Sequence, residues 1–330
     1  MISLKNRPLG IAVVGAGYWG GKLVREYLAL SKEDKLQLKY VVDSDTKRLK
    51  ALGEQLGLPS SILQSDSSAV LKDSEIDAVH LATPNETHFP LGMAALDAGK
   101  NLLVEKPMAT TMRDALKLAR RAEEKSLVLH VGHVFRFNNA MKLTRTLVRS
   151  GEIGKLLCLS LDWSALLLPL PNRDIILDLA PHPVDVLNYL LGEWPLRVFA
   201  LGKSFMRHKR GQEEVATVVA EFDDDVFAQI SLSWLSAGIH SRRVTITAEK
   251  ATMDVDALNQ RVIVKREGNS RDYPIEANNT IRSMISHFCD CIVRGDAPEN
   301  SGLIGAITVG VLSAMRSSMD SGEFVTAITK

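Results

Sequence analysis

The sequence predicts an α/β protein of two domains. A doubly wound parallel sheet occupies residues 1–132, and an α/β domain with a large, mostly antiparallel sheet occupies 133–330. Three observations predict this. Apolar strand-like runs alternate with amphipathic helical stretches through the first 131 residues. The alternation stops after Gly132, and strand-like segments bounded by short polar turns then dominate. Two helical stretches close the chain.

The elements follow in order. GIAVV (10–14) is a short apolar run, and an amphipathic stretch follows from Tyr18 to about Ser31. LQLKYVVD (36–43) alternates and then turns fully apolar, as a strand entering a covered parallel sheet does. IDAVHLA (76–82), NLLVE (101–105) and LVLHV (127–131) are further strands. The clearest intervening helix runs from Thr111 to Lys125, with Ala115, Leu118, Ala119 and Ala122 on one stripe. In the second domain a helix over about 139–150 ends at Gly151. KLLCLSLDW, LRVFALGKS, EVATVVAEF, VFAQISLSWL, RRVTITAE and QRVIVKR then read as strands, and the EGNS, DDD and SAG turns predict hairpins. Helices over about 279–294 and 301–320 end the chain.

Composition excludes several function classes. The chain has 330 residues, 45% hydrophobic and 24% charged, the balance of a globular protein with room for two cores. A formal net charge of +1 gives no electrostatic footprint for nucleic acid or an anionic membrane. The cluster Arg207, His208, Lys209, Arg210 reads as a solvated loop. Three cysteines cannot build a disulfide framework, and Cys289-Asp290-Cys291 lacks the second pair that zinc would need. A reducing, cytoplasmic compartment is expected. MISLKNRPLG has no apolar signal core and no run approaches membrane-spanning length, so no membrane partner is expected.

Three motifs carry chemistry. Gly15-Ala16-Gly17-Tyr18-Trp19-Gly20 follows a strand and opens a helix, the context of a dinucleotide-binding turn. Gly15 permits the tight turn, Gly17 lets backbone approach a pyrophosphate, and Gly20 lets helix pack on strand. The helix N-terminus offers its unpaired N–H groups to the phosphates. Asp43 ends the second strand where a ribose 2′-hydroxyl would sit, and an acid there favours NAD over NADP. Arg48 nearby could soften that preference.

Thr83-Pro84-Asn85-Glu86-Thr87-His88 follows the strand 76–82, at the end of a parallel sheet where ligands bind. Two readings stand: Asn85 or Thr87 caps the next helix with His88 exposed on its first turn, or the stretch faces a ligand. Glu105-Lys106-Pro107 also lies just past an apolar strand, where a lysine can reach a substrate hydroxyl and favour its alkoxide.

Taken together, these motifs resemble the glucose–fructose oxidoreductase/inositol dehydrogenase (Gfo/Idh/MocA) family. Arg136-Phe137-Asn138 and the run Ser150 to Lys155 (SGEIGK) add to the resemblance, which covers nearly the whole chain. It implies a Rossmann domain, then a sheet domain often used for oligomer contacts. The strand-rich half, with VFAQISLSW its most hydrophobic strand, is expected to present one sheet face too apolar to leave in water, so a homodimer or homotetramer joined sheet to sheet is expected. It places Gly15, Gly17, Tyr18, Trp19, Gly20 and Asp43 on the cofactor NAD. Thr83, Pro84, Asn85, His88, Glu105, Lys106 and Arg136 are further cofactor contacts on the same resemblance. The stretch IILDLAPHPVD (175–185) matches the family's D-x-x-x-H, so Lys106, Asp178 and His182 are the implied catalytic residues.

The local chemistry agrees. Oxidising an alcohol releases a proton, and His, with an ordinary pKa near about 6.5, can accept it at neutral pH. Asp178 one turn earlier can orient the ring and stabilise its charged form. Pro183 suits a helix's first turn, and Val184, Leu187 and Leu191 continue a stripe to Gly192, a C-cap. A helix N-terminus disfavours imidazolium and keeps His182 ready as a base. No second His or Cys lies at ligand spacing, so no metal is expected.

G-Y-W-G, G-H-x-x-R-F-N and Arg173 to Leu177 before the acid look most like the family's nucleotide-sugar branch, which includes UDP-N-acetylglucosamine 3-dehydrogenases. The apolar loop Ala165 to Pro171 (ALLLPLP) either covers a nucleobase or meets a substrate less polar than a sugar. The expected activity is hydride transfer between a secondary alcohol of a sugar, such as C3 of a nucleotide-linked hexose, and NAD. A ketosugar or cyclitol reductase uses the same groups in reverse. A catalytically silent dinucleotide-sensing regulator is the alternative of another class.

Overall fold

The structure is a computed structural model that describes residues 7–34, 36–167, 174–208 and 211–328. Residues 168–171 of the apolar loop, Arg173, and Lys209 and Arg210 of the basic cluster lie outside the described residues. Two compact units form: 1–132 with 281–306, and 133–280 with 307–330.

The first unit contains β1 (Leu9–Val14), α1 (Tyr18–Ser31), β2 (Leu36–Val42), α2 (Thr46–Leu56), β3 (Leu63–Gln64) and α3 (Ser67–Lys72). β4 (Ala78–Leu81), α4 (Asn85–Asp97), β5 (Asn101–Val104), α5 (Met112–Glu124) and β6 (Leu129–Val131) follow. The strands pair in parallel in the order β3-β2-β1-β4-β5-β6. Ile11, Val13, Val41, Leu102 and Leu103 are wholly buried, which is why these strands read as continuous apolar runs. The order reverses between β1 and β4, and ligands of such sheets bind beyond the strand ends at that reversal.

The second unit adds α6 (Asn139–Arg149), β7 (Leu156–Leu166), α7 (Ile175–Asp178), α8 (Pro181–Leu191), β8 (Arg197–Lys203), β9 (Val215–Glu221) and β10 (Phe227–Ser233). β11 (Leu235–Ala248), β12 (Thr252–Asp256), β13 (Arg261–Arg266) and β14 (Asn269–Tyr273) complete the middle of the chain. α9 (Thr280–Arg294), α10 (Gly302–Ser321) and β15 (Val325–Thr326) end it. The nine-stranded sheet runs β14-β13-β12-β11-β7-β10-β9-β8-β15 and is antiparallel except for β7 with β10. Its inner face carries Trp163, Val218, Ile230 and Ile246, packed with Met141, Leu187 and Leu312 from α6, α8 and α10.

Four expectations change. The DDD and EGNS turns make hairpins, but SAG does not, because β7 lies between β10 and β11. Residues 281–306, expected with the second domain, belong to the first unit. There the Val131 N–H donates to the Asn300 carbonyl at 3.0 Å, and His130 bridges Ser301. VFAQISLSW points its Ala228, Ile230 and Leu232 inward, so its outer residues are Phe227, Gln229 and Ser231. The outer face is therefore mixed rather than uniformly apolar. Finally, α10 is by length and composition apolar enough to cross a membrane, but more than half of its apolar stretch is buried in the protein, as in a core helix.

Candidate active site

The first unit supplies the glycine turn. Gly15 has φ +105° and donates its N–H to the Val42 carbonyl at 2.7 Å, and a Cβ there would stand 2.4 Å from the Ala82 carbonyl oxygen. A Cβ on Gly20 would stand 1.8 Å from the Gly15 carbonyl oxygen, so helix and strand can meet this closely only with glycine. Gly17 differs: a Cβ there meets no atom within 4 Å. Gly17 begins α1 with no side-chain cap and no acid follows in the first turn, which suits an anion at this helix end.

Asp43 is buried at the end of β2. Its Oδ2 accepts the Ala16 N–H at 2.7 Å and its Oδ1 accepts the Asp45 N–H at 2.9 Å. Arg48 Nη1 reaches the same carboxylate at 3.2 Å while Nη2 reaches Asp45 at 3.2 Å, so two acids already hold this guanidinium. Tyr18 is 83% exposed, with Lys22 Nζ 4.4 Å from its ring centroid.

The T-P-N and E-K-P turns meet through a histidine. Pro84 stands at the start of α4 and no side chain caps it, so the capping reading of Asn85 and Thr87 fails. The Thr87 hydroxyl donates back to the Pro84 carbonyl at 2.7 Å. His88 is buried, not exposed: its Nδ1 lies 2.8 Å from the Pro107 carbonyl oxygen and its Nε2 2.9 Å from that of Thr83. Both ring nitrogens thus lie against the two turns, and His88 braces the turn that bears Lys106.

Glu105 is also buried. His80 Nε2 lies 3.5 Å from its Oε1, and a Cβ on Gly132 would stand 2.7 Å from its Oε2. Burial pushes this carboxyl up, but the His80 ring, the Trp19 indole and the Lys106 ammonium together hold it below the usual carboxylate range. The Trp19 indole of α1 therefore lies close to the Glu105 carboxylate. The half-buried Lys106 sits on the E-K-P turn, at the C-terminal end of β5.

The second unit supplies Asp178 and His182. Asp174 caps α7 by accepting the Ile176 and Leu177 N–H groups at 2.8 and 3.0 Å. Leu179 and Ala180 keep helical backbone, and the His182 N–H donates to the Leu179 carbonyl at 3.3 Å. α7 therefore runs nearly unbroken into α8, and residues 178 and 182, four apart, share one face. Pro181 opens α8 and Gly192, at φ +83°, closes it, so His182 lies in the first turn. Both side chains are half-buried. Phe135 meets the His182 ring edge-on at 5.3 Å and Trp163 at 5.5 Å, giving the imidazole an apolar wall.

Arg136 also has a structural role. Its Nε donates to Asp185 Oδ1 at 2.8 Å and its Nη2 to Asn188 Oδ1 at 2.7 Å, all within the second unit. It braces α8, a role in addition to the cofactor contact expected of it. Asp185, the second acid of IILDLAPHPVD, is the other half of that brace.

One residue gave no sequence signal. Arg242 on β11 is 9% exposed and donates to the Ser164 and Ser241 carbonyls at 3.2 and 2.6 Å. Burial pulls its guanidinium down to about 10, against the opposing charges of Asp162 and Asp178. It is a buried cation that bears on Asp178. No group of three or more His, Cys, Asp or Glu suited to a metal ion occurs among the described residues.

A glycine turn at a helix N-terminus, a buried acid at the end of β2, and an acid and an imidazole four residues apart are the arrangement expected of an NAD-dependent oxidoreductase. A description of an oxidoreductase family with an NAD-binding Rossmann fold matches residues 9–133, and the GFO/IDH/MocA C-terminal domain matches 141–254. The chain belongs to the GFO/IDH/MocA oxidoreductase family. It is 23% identical over 297 residues to 1,5-anhydro-D-fructose reductase of Ensifer adhaerens, covering 86% of this chain and 89% of that protein. It is 28% identical over 260 residues to UDP-N-acetylglucosamine 3-dehydrogenase of Acidithiobacillus ferrooxidans, covering 78% and 76%. In fold it resembles an Azotobacter vinelandii inositol dehydrogenase homologue solved with NADH and myo-inositol, with TM-score 0.86, 20% identity and coverage of 97% and 98%.

Proposed function

We propose that the protein oxidises a secondary alcohol of a sugar with NAD, and that the sugar is nucleotide-linked with C3 as the reacting carbon. The carrying observation is the placing of Asp178 and His182: four residues apart across the α7–α8 junction and half-buried, with Phe135 edge-on to the imidazole, Trp163 edge-on to Phe135, and the buried Arg242 bearing on the acid. In this reading His182 takes the hydroxyl proton, Asp178 orients the ring and offsets its charge, and Lys106 hydrogen-bonds the forming alkoxide. NAD, when bound, accepts the hydride. The 28% identity to a UDP-N-acetylglucosamine 3-dehydrogenase supports the nucleotide-sugar choice. The likeness to scyllo-inositol 2-dehydrogenase of Bacillus subtilis, at 24%, supports a cyclitol as the second reading. Mixing the protein and NAD with a panel of UDP-sugars and free cyclitols, and following NADH at 340 nm, decides between them. Turnover of cyclitols alone overturns the nucleotide-sugar reading, and no turnover of any polyol favours a silent dinucleotide sensor.

The reading includes a homodimer or homotetramer in a reducing, cytoplasmic compartment. Phe199, Leu201, Val219 and Phe227 share the outer sheet face with Thr217, Gln229 and Ser231, which supports a mixed sheet-to-sheet interface. A monomeric mass in solution at micromolar concentration overturns the assembly.

A further inference from the structure

We propose that His80 and Tyr27 are positioning residues: a buried Tyr27–His80–Glu105 chain in which His80 presents its Nε2–H to Glu105, so that a fixed carboxylate stands next to Lys106. The inference rests on the reading of Lys106 as a group of the reacting centre, but its first test does not depend on that reading.

The geometry is specific. Tyr27 on α1 and His80 on β4 are both 0% exposed. The Tyr27 hydroxyl lies 3.0 Å from His80 Nδ1 and the rings meet edge-on at 78°. On its far side His80 Nε2 stands 3.5 Å from Glu105 Oε1, an ion-pair approach longer than a hydrogen bond, and neither atom has a hydrogen-bond partner elsewhere. A polar pair between an otherwise apolar strand and the buried face of a helix contributes nothing to packing that Leu and Phe would not, so the arrangement calls for a chemical reason.

The protons follow from charge. Glu105 is held as a carboxylate, so a bare Nε2 lone pair facing it would be repelled; that nitrogen carries a hydrogen. Burial, with Cys289 and Glu105 nearby, pushes the Tyr27 phenol well above its ordinary value, so its proton stays on. That proton needs an acceptor in a dry interior, and His80 Nδ1 is the acceptor at hydrogen-bond distance. The chain is therefore Tyr27 O–H to Nδ1, then Nε2–H to the carboxylate, with one negative charge in total. The groups facing Glu105 are His80 from β4, the Trp19 indole from α1 and Lys106 on its own turn, with Tyr27 and the α9 thiol Cys289 behind His80. Without the His80 donor a buried Glu105 would be drawn towards its neutral form. The ammonium form of Lys106, which donates to a substrate oxygen, would then lose its fixed partner.

Two experiments test this. Long-range 15N–1H spectra of the wild-type protein at about pH 8, assigned by comparison with His80→Asn, should show a protonated Nε2 and a bare Nδ1. A protonated Nδ1 with a bare Nε2, or a doubly protonated ring, overturns the proposal whatever Lys106 does. In turnover, His80→Asn keeps a group at the Nδ1 position but cannot reach Glu105, and it should lower kcat about tenfold with KM for NAD little changed. His80→Gln places an N–H where Nε2 stood and should recover most of the loss. Equal kcat values for the two variants overturn the proposal. A Lys106→Ala enzyme with normal turnover, beside an intact Nε2–H signal, would instead overturn the reading of Lys106 and leave the chain standing.

Discussion

The Asp43 carboxylate accepts the Ala16 backbone N–H at 2.7 Å and so ties the end of β2 to the glycine turn. The residue expected to read the ribose also shapes the loop that holds the pyrophosphate. A 2′-phosphate would bring negative charge to a corner where Asp43 and Asp45 already share Arg48. NAD should therefore bind at least about tenfold more tightly than NADP, a difference of roughly 1.4 kcal/mol. Asp43→Asn, which keeps one acceptor oxygen, should narrow that gap. Asp43→Ala should narrow it and weaken both cofactors, because the turn loses its tie. Titrating NAD and NADP against the tryptophan fluorescence of the three proteins measures all six affinities, and a wild type that prefers NADP tenfold overturns the assignment.

The brace between Arg136 and Asp185 makes a prediction about stability. Both side chains are nearly inaccessible, and Asp185 Oδ1 takes the guanidinium at 2.7 to 2.8 Å. Removing one partner of a buried pair leaves an uncompensated charge, which costs about 3–5 kcal/mol. Asp185→Ala should lower the unfolding free energy measured by urea titration by about 3–5 kcal/mol. Replacing both partners by apolar residues, as in Arg136→Met with Asp185→Leu, should be milder. A double variant as unstable as the single one would mean that packing rather than charge sets the cost.

The thiols give a third prediction. Burial pushes Cys289 up to about 12 and Cys291 up to about 11, while Cys158 is only half-buried. Thiolate is the reactive form, so at pH 8 iodoacetamide should modify Cys158 first and leave the α9 pair intact until the protein unfolds. Mass spectrometry of the labelled peptides reads the order directly. Early labelling of Cys291 in the folded protein contradicts it.

How much of this was legible in the sequence depends on the range of the interaction. Gly15, Gly20, the 18–31 helix and the Gly192 C-cap are local: each is set by residues within a turn or two, and the sequence reading places each correctly. The insertion of β7 between β10 and β11 is a pairing between strands some 60 residues or more apart in sequence, and no turn residue encodes it. Arg242 reads as an ordinary strand arginine; only the fold reveals that its side is the buried one. His80 was visible as the lone imidazole in IDAVHLA, yet its partner Tyr27 lies on a helix 53 residues away. Arg136 belonged to a recognised motif, but the motif says nothing of Asp185, which waits 49 residues on.

The last prediction concerns the proton. His182 occupies the first turn of α8 with Asp178 one turn before it and Phe135 edge-on to its ring. If the imidazole accepts the alcohol proton, His182→Ala should lower turnover by roughly a hundredfold or more, the range for a positioned general base. NAD affinity should hardly move, because the Gly15 to Gly20 turn and Asp43 belong to the first unit. Asp178→Asn should leave substrate binding less affected and still slow the reaction, since the ring loses the charge that orients it. Lys106→Ala should lower turnover as well, and the Lys106→Ala, His182→Ala double variant should be little worse than the worse single one, because groups acting on one proton are not additive. Steady-state kinetics on the substrate found by the sugar panel, with NAD titrations alongside, measure each term. A His182→Ala enzyme with near-normal turnover would reduce the imidazole to a packing partner of Phe135.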